Sequence, residues 1–458
     1  IVQMNTERKK SPIGVLFLTV FVDLVGFSII FPLFPEMLEH YADAGADSFF
    51  GSLIANLAEL SGEGEPEDKK FYATVLFGGI LGSLYSILQF LFAPMWGRLS
   101  DRIGRRPVLL ITIGGLCVSY LVWIFSHSFL LLIISRVLGG AMGGNISVAT
   151  AAMADSTDKK NRAKGMGMIG MAFGLGFILG PAIGALLSSI PMQDWGLPGL
   201  NPFSAAATGA FLLSLWNLSW VRRSFKESLP EENRGKAHQA GRPISPFKLF
   251  RGFDIPGVTR TNMVYFIFLV AFAGMEFTLT FLAKDRLEYT RHEMMWIFIF
   301  VGLIIALVQG GIVRRMAPKM GEKKVALYGL ILLVPGLVVT GMTKSPEDET
   351  LFYLGLALLA VGSALATPCL TALASLYTPA DRQGEVLGTF RSLGALSRAV
   401  GPVLACVAYW KLGSEWPYYG ATALVLLPIL LALGLPPAPK REDKAAGDET
   451  GQGEAEVS

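Results

Sequence analysis

Charge is scarce in this chain. Asp, Glu, Lys and Arg make up 16% of its 458 residues, where a soluble domain carries about 25%, so an ordinary water-soluble globule is excluded. Cysteine is scarcer still: Cys117, Cys369 and Cys406 each fall inside a long apolar run, which leaves neither a disulfide framework nor a zinc site. The chain has no Walker A sequence and no cluster of His, Cys or Ser. ATP-driven pumping and enzyme catalysis are therefore not expected, and no cofactor, metal or nucleic acid is called for. The sequons Asn145-Ile146-Ser147 and Asn217-Leu218-Ser219 lie within apolar runs and are out of reach of glycosylation.

What the chain has instead is apolar length. Hydrophobic residues reach 52%, and the mean hydropathy is +0.49. A helix needs about 20 mostly apolar residues to cross a bilayer. Twelve such runs are present, at 12–34, 71–95, 107–125, 128–153, 164–190, 203–221, 259–283, 293–313, 323–342, 350–378, 383–411 and 415–436. Backbone polar groups must be satisfied within each span, and runs of this length are helices rather than barrel strands. The first run continues through Phe31-Pro32-Leu33-Phe34-Pro35 without a small-residue cleavage site and is expected to remain as the first helix.

Lys and Arg gather on alternate connections: Arg8 to Lys10, Arg98 to Arg106, Lys159 to Lys164, Arg222 to Lys226, Arg314 to Lys324, and Lys440-Arg441. By the positive-inside rule that side is cytosolic, and both termini with it. The opposite connections are short, neutral or acidic. The longest, about 36–70, contains Glu59, Glu63, Glu65, Glu67 and Asp68 and is expected to carry a short helix around Phe49 to Leu60.

The chain also repeats itself. Gly104-Arg105-Arg106 after the second run matches Gly321-Glu322-Lys323 after the eighth, and Gly180-Pro181 in the fifth matches Gly401-Pro402 in the eleventh. The predicted organisation is a cytosolic tail 1–11, a six-helix half 12–221, a basic cytosolic linker 222–258, a second half 259–436, and a polar disordered tail 437–458. Parallel duplication of six helices, related by an axis along the membrane normal, is a transporter plan with a central site at mid-depth.

Ionisable residues inside spans are costly and default to functional or paired roles. There are three arginines, Arg136, Arg391 and Arg398, against two acids, Asp23 and Glu276, a net +1 that favours anions. Arg391 and Arg398, seven residues apart, share a helix face. Arginine stays protonated and pairs bidentately with carboxylates, so Arg398 is the first candidate for anion recognition and Glu276 for a titrating group. A Glu276–Arg398 pair with no ligand role is the competing reading. Asp23 and Arg136 lie at depths where they could face each other, and a static ion pair is again the alternative. Gln309 is a further polar candidate.

Gly97, Asp101, Arg102, Gly104, Arg105 and Arg106 occupy every defining position of G-x-x-x-D-R-x-G-R-R, a pattern that resembles the loop signature of the major facilitator superfamily. Gly176, Gly180, Pro181 and Gly184 resemble its antiporter motif, with Ala185 in place of the last glycine. The stretch from Asp23 to Pro35 resembles the start of tetracycline/proton antiporters, and Arg136-Val137-Leu138-Gly139-Gly140 is similar to the R-x-x-x-G motif of proton-coupled members. Val75 to Gly79, Asn262 to Phe266, Gly274 to Leu282 and Gly388 to Arg398 resemble the tetracycline transporter-like members found in animals. The resemblance covers nearly all of residues 10–436.

It implies an all-α membrane protein with the major facilitator fold: twelve transmembrane helices in two pseudo-symmetric six-helix halves, in the drug/proton antiporter branch. It further implies that Asp101 latches the halves at the cytosolic face, near the start of the eleventh helix, and that the glycines of the fifth form a flexible seam between halves. Pro318 stands where the second half's aspartate would fall, which removes that copy of the latch. The expected activity is proton-coupled antiport of amphipathic organic ions, chiefly anions and drugs, by alternating access. Asp23 and Glu276 are the proton-coupling candidates; Arg398, Arg391, Glu276, Arg136 and Gln309 are the substrate candidates. The expected partners are the substrate, protons and membrane lipid, with a monomer at the plasma membrane or an internal membrane. An uncoupled facilitator of the same fold, or a non-transporting receptor or scaffold, is the alternative.

Overall fold

The computed structural model describes residues 12–43, 49–61, 65–157, 162–234, 252–379 and 382–437. The tail expected at 1–11, all but the first residue of the tail expected at 437–458, and the middle of the linker fall outside these residues. Among the described residues all regular structure is helical, because apolar runs of this length can satisfy their amides only internally.

The helices are α1 (Pro12–Ser28), α2 (Phe34–Asp43), α3 (Phe49–Glu59), α4 (Pro66–Ile103), α5 (Arg105–Ile124), α6 (Phe129–Met142), α7 (Asn145–Asp155), α8 (Arg162–Leu187), α9 (Ser204–Ser224), α10 (Val258–Leu287), α11 (Arg291–Leu307), α12 (Arg314–Met320), α13 (Glu322–Gly341), α14 (Glu349–Tyr377), α15 (Gln383–Leu412) and α16 (Trp416–Leu433). Eleven spans among the described residues are long and apolar enough to cross a membrane. The remaining run of the expected twelve is α9, a helix of 21 residues with a more polar composition. Its polarity is turned inward: Asn217 is 1% exposed and donates to the Thr19 carbonyl at 3.3 Å, and Ser214 meets Cys117 Sγ at 3.3 Å.

Three spans are interrupted. The first turns through a 3-10 segment, Phe31–Leu33, between α1 and α2. The fourth breaks at Gly143-Gly144 between α6 and α7. There a Cβ on Gly144 would meet Trp96 Cδ1 at 2.2 Å. Trp96 Nε1 donates to the Ala141 carbonyl at 2.7 Å and Gln89 Nε2 to the Gly143 carbonyl at 3.1 Å, so side chains of α4 take up carbonyls that the break frees. The third interruption is a π turn, Val308–Val313, which joins α11 to α12.

By internal contact the chain divides into two compact units, Ile1–Ile244 with Glu288–Ile299, and Ser245–Leu287 with Phe300–Ser458. In unit 1, α1 packs on α8 and α9, and α5 on α6 and α9, around a core that includes Leu16, Val20, Leu24, Val108, Ile113, Ala149 and Ile169. In unit 2, α10 packs on α15 and α16, and α13 on α14 and α16.

Candidate functional site

The signature segment is less of a loop than its glycines suggest. Helix α4 continues through Gly97, Asp101 and Arg102 to Ile103, and the chain turns only at Gly104, whose φ of +108° favours glycine. The connection expected between the second and third apolar runs, 96–106, is thus mostly helix, and Arg105, just past the turn, pairs back to Asp101 in the last turn of α4. Arg105 is 7% exposed. Its guanidinium reaches Asp101 at 2.5 Å, Asp155 at the end of α7 at 2.9 Å and Ser100 Oγ at 2.6 Å, which ties the ends of α4 and α7 together.

The backbone amides of Arg105 and Arg106 open α5 and donate to Glu227 Oε1 at 2.9 Å and Oε2 at 3.0 Å. A helix N-terminus leaves such amides without internal partners and favours negative charge. Arg106 Nη2 donates to the Arg222 carbonyl in the last turn of α9 at 2.7 Å, and Arg102 is exposed. Asp101, 37% exposed at its side chain, is paired with Arg105 of its own unit.

The second copy keeps the geometry and changes the charges. Gly321 has φ +85°, Glu322 is buried in place of Arg105, and Lys323 Nζ donates to the Leu433 carbonyl at 3.0 Å and to that of Leu435. Arg106 and Lys323 thus occupy matching positions and do the same work: each caps the C-terminal end of the sixth helix of its half.

The α8 motif faces α1 within unit 1. A Cβ on Gly176 would meet Leu24 Cβ at 2.6 Å, one on Gly180 would meet Ser28 Oγ at 1.9 Å, and one on Gly184 the Ile29 carbonyl oxygen at 2.0 Å. Ser28 Oγ donates to the Gly176 carbonyl at 3.0 Å. The small residues allow backbone contact between the two helices, with Pro181 inside the same helix. Unit 2 repeats the contact between α10 and α15: a Cβ on Gly274 would meet the Gly401 carbonyl oxygen at 2.8 Å, and one on Gly401 that of Val270 at 2.5 Å.

Asp23 and Arg136 are both buried, at 8% and 4% exposure, and no ion pair joins them. Tyr85 of α4 and Tyr120 of α5 interact electrostatically with both, and Asn145 of α7 is a neighbour of Asp23. Five helices of unit 1, α1 and α4 to α7, each contribute one member of this cluster. The tyrosines are held by packing: Tyr85 lies 4.6 Å from the Phe27 ring, and the Tyr120 hydroxyl sits where a Cβ on Gly26 would be, 2.8 Å away. Arg136 donates to Ser135 Oγ at 3.0 Å and lies 4.5 Å from the Trp123 ring centre, a cation–π arrangement. The sequence reading missed Tyr85, Tyr120, Trp123 and Asn145; aromatic residues in apolar runs give no local signal of polar work.

In unit 2, Glu276 interacts electrostatically with Arg398 directly, while Arg391 and Arg398 both act on Tyr265. Tyr265 stacks on Phe390 with ring centres 3.8 Å apart, and a Cβ on Gly394 would meet its hydroxyl at 3.1 Å. Glu276, Tyr265, Arg391 and Arg398 are all half-buried. The arrangement offers an anion two guanidiniums and a phenol on one face, beside a single carboxyl group that can take or lose a proton. Gln309 lies on the π turn that joins α11 to α12. Among the described residues no group of three His, Cys, Asp or Glu side chains can hold a metal ion.

A family model described as Major Facilitator Superfamily matches residues 16–402 and again 315–456. Major facilitator superfamily domain-containing protein 10 of Bos taurus is 38% identical over 454 residues, 94% of each chain. The Tetracycline resistance protein, class C, of Escherichia coli is 28% identical over 420 residues, 90% of this chain and 94% of its own. The crystal structure of the human organic anion transporter MFSD10 (TETRAN) matches with a TM-score of 0.71 at 35% identity, covering 93% of this chain and all of that one.

Proposed function

This chain belongs to the major facilitator superfamily as an all-α, multi-pass membrane protein, and from that premise we propose that it is a proton-coupled secondary transporter of amphipathic organic anions. The observation that carries this reading is the α10–α15 face. Arg391 and Arg398 outnumber Glu276 there, and all three are only half-buried. The human relative crystallised as an organic anion transporter supports the same substrate class.

In this reading Arg398, with Arg391, receives the anionic group, and Glu276 carries the proton. Asp23 and Arg136 hold unit 1 in shape around Tyr85 and Tyr120 and respond to the cycle without touching substrate. Gln309 serves as a secondary polar contact. Alternating access is gated at the signature segment, where the half-exposed Asp101 exchanges its Arg105 partner for the latch contact. Gly97, Gly104 and Arg102 shape the segment, and Arg106 caps α9. The basic connections and both termini face the cytosol, and the protein acts as a monomer in contact with lipid. The glycines of α8 bear on packing against α1 and leave the direction of coupling open.

The test is uptake of radiolabelled organic anions and cations into proteoliposomes, with and without a pH gradient, comparing wild type with Arg398→Ala and Glu276→Gln. Gradient-dependent anion flux that falls in both variants is expected. Flux indifferent to the gradient points to a facilitator, and absence of flux for every solute to a receptor.

A further inference from the structure

The direction of coupling follows from the charges on the α10–α15 face. These helices touch at backbone level between Gly274 and Gly401, two residues before Glu276 and three after Arg398, and the contact holds carboxylate and guanidinium in each other's field. Arg391 adds a second positive charge on the same face, and Tyr265 lies against both arginines. Of the other elements packed on α10, α16 contributes Tyr418, beside Thr278 and Cys406, and Tyr419; α14 has only Tyr353 and Cys369 as titratable side chains between Glu349 and Tyr377; and the 3-10 turn Pro346–Asp348 ahead of α14 brings Glu347 and Asp348. We propose that the organic anion and the proton bind together at the Glu276–Arg398 pair and cross together, so that coupling is cotransport rather than exchange. The proposal rests on the anion-transport reading above.

The physical argument is one of linkage. With Glu276 ionised, an incoming anion competes with that carboxylate for Arg398 and is repelled by it. With a proton on a Glu276 carboxylate oxygen, the repulsion is gone, the guanidinium is released to the anion, and the carboxyl O–H becomes a hydrogen-bond donor to it. A proton that raises anion affinity must have its own affinity raised by the anion in the same factor. Ligands that favour each other's binding travel together; ligands that compete exchange. A cationic substrate at this carboxylate would compete with the proton, so the substrate's charge sets the sign. This reverses the antiport expected from the pattern in α8, whose glycines contact α1 in the other unit.

The experiment uses the full-length protein in proteoliposomes with a pH-sensitive dye inside and the membrane potential clamped by potassium and valinomycin. The probe is 2-naphthalenesulfonate, which remains anionic and does not leak as a neutral acid. Its quaternary naphthylmethyl-trimethylammonium analogue supplies the opposite charge. Binding to the detergent-solubilised protein is measured in parallel on both sides of neutral pH. The expected result is interior acidification in step with probe entry, and binding about tenfold tighter on the acid side, within the usual range of coupling between sites. In Glu276→Gln the probe still binds, with an affinity that no longer varies with pH, and proton movement is lost.

Interior alkalinisation on probe entry overturns the proposal, as does entry with the interior pH unmoved, while leaving anion transport intact. Absence of both binding and entry for the sulfonate, with the ammonium analogue transported, overturns the anion reading itself. The wild-type measurements decide the sign even if the variant fails to fold.

Discussion

In unit 1 the ionisable pair is sealed and held apart. Asp23 and Arg136 are 8% and 4% exposed, and two tyrosines from different helices stand in electrostatic contact with both. In unit 2 Glu276 of α10 and Arg398 of α15 lie within electrostatic reach of each other, and both are half-buried. Two halves built on one plan have thus diverged in what their buried charges do. The signature segments diverge in the same way, with Arg105 held by two aspartates in one and Glu322 at the matching position in the other. A repeated fold conserves backbone contacts, which the helices need in order to pack, and leaves side-chain charges free to specialise.

The largest expected effect tests the shared backbone contact. Gly184→Val in unit 1 and Gly401→Val in unit 2 each place a side chain on a neighbouring carbonyl oxygen. Overpacking of this kind costs about 3 kcal/mol, and both variants should lose their monodisperse peak in size exclusion. Gly170→Val, with nothing within 4 Å of its Cβ position, should keep it. If only one of the paired variants fails, the halves do not share this contact in solution.

Arg105→Ala comes next. It leaves Asp101 and Asp155 facing each other without their common cation; because both carboxylates are partly exposed, the cost should be about 1–3 kcal/mol. A marked drop in melting temperature should follow, partly restored by adding Asp155→Asn. Lys323→Ala, which removes a cap on α16, should cost only about 1 kcal/mol.

The third pair separates function from structure. Arg398→Ala should lower anion transport by about tenfold or more, the scale of one lost charge-assisted contact, with little change in melting temperature. Arg136→Ala should do the reverse and destabilise unit 1. Equal transport losses with unchanged stability in both would erase the distinction between the buried pair of unit 1 and the half-buried one of unit 2. The smallest effect is that of Tyr120→Phe, which removes the hydroxyl over Gly26 at about 1 kcal/mol and should move the melting temperature slightly.

Much of this was legible in advance. The apolar runs located the helices, because only a helix lets about 20 apolar residues cross a bilayer with its amides satisfied. A helix did form at Phe49–Glu59 as expected. The break at Gly143-Gly144 was not legible, since it depends on Trp96 and Gln89 arriving from α4 to receive the freed carbonyls. Nor was the cap on α5, because Glu227 lies 122 residues beyond Arg105 in sequence. Tyr85 and Tyr120 escaped notice because an aromatic residue in an apolar span reads as packing until its neighbours are known.

The sequence by itself determined that this is a helical membrane protein of the major facilitator superfamily, since hydropathy, motif spacing and internal repetition are properties of residues near one another in the chain. Which charges meet was decided only by the tertiary structure. Arg105 finds Asp155, and Asp23 and Arg136 find tyrosines rather than each other. Electrostatic partnership depends on distances of a few ångströms between helices far apart in sequence, and only packing sets those distances.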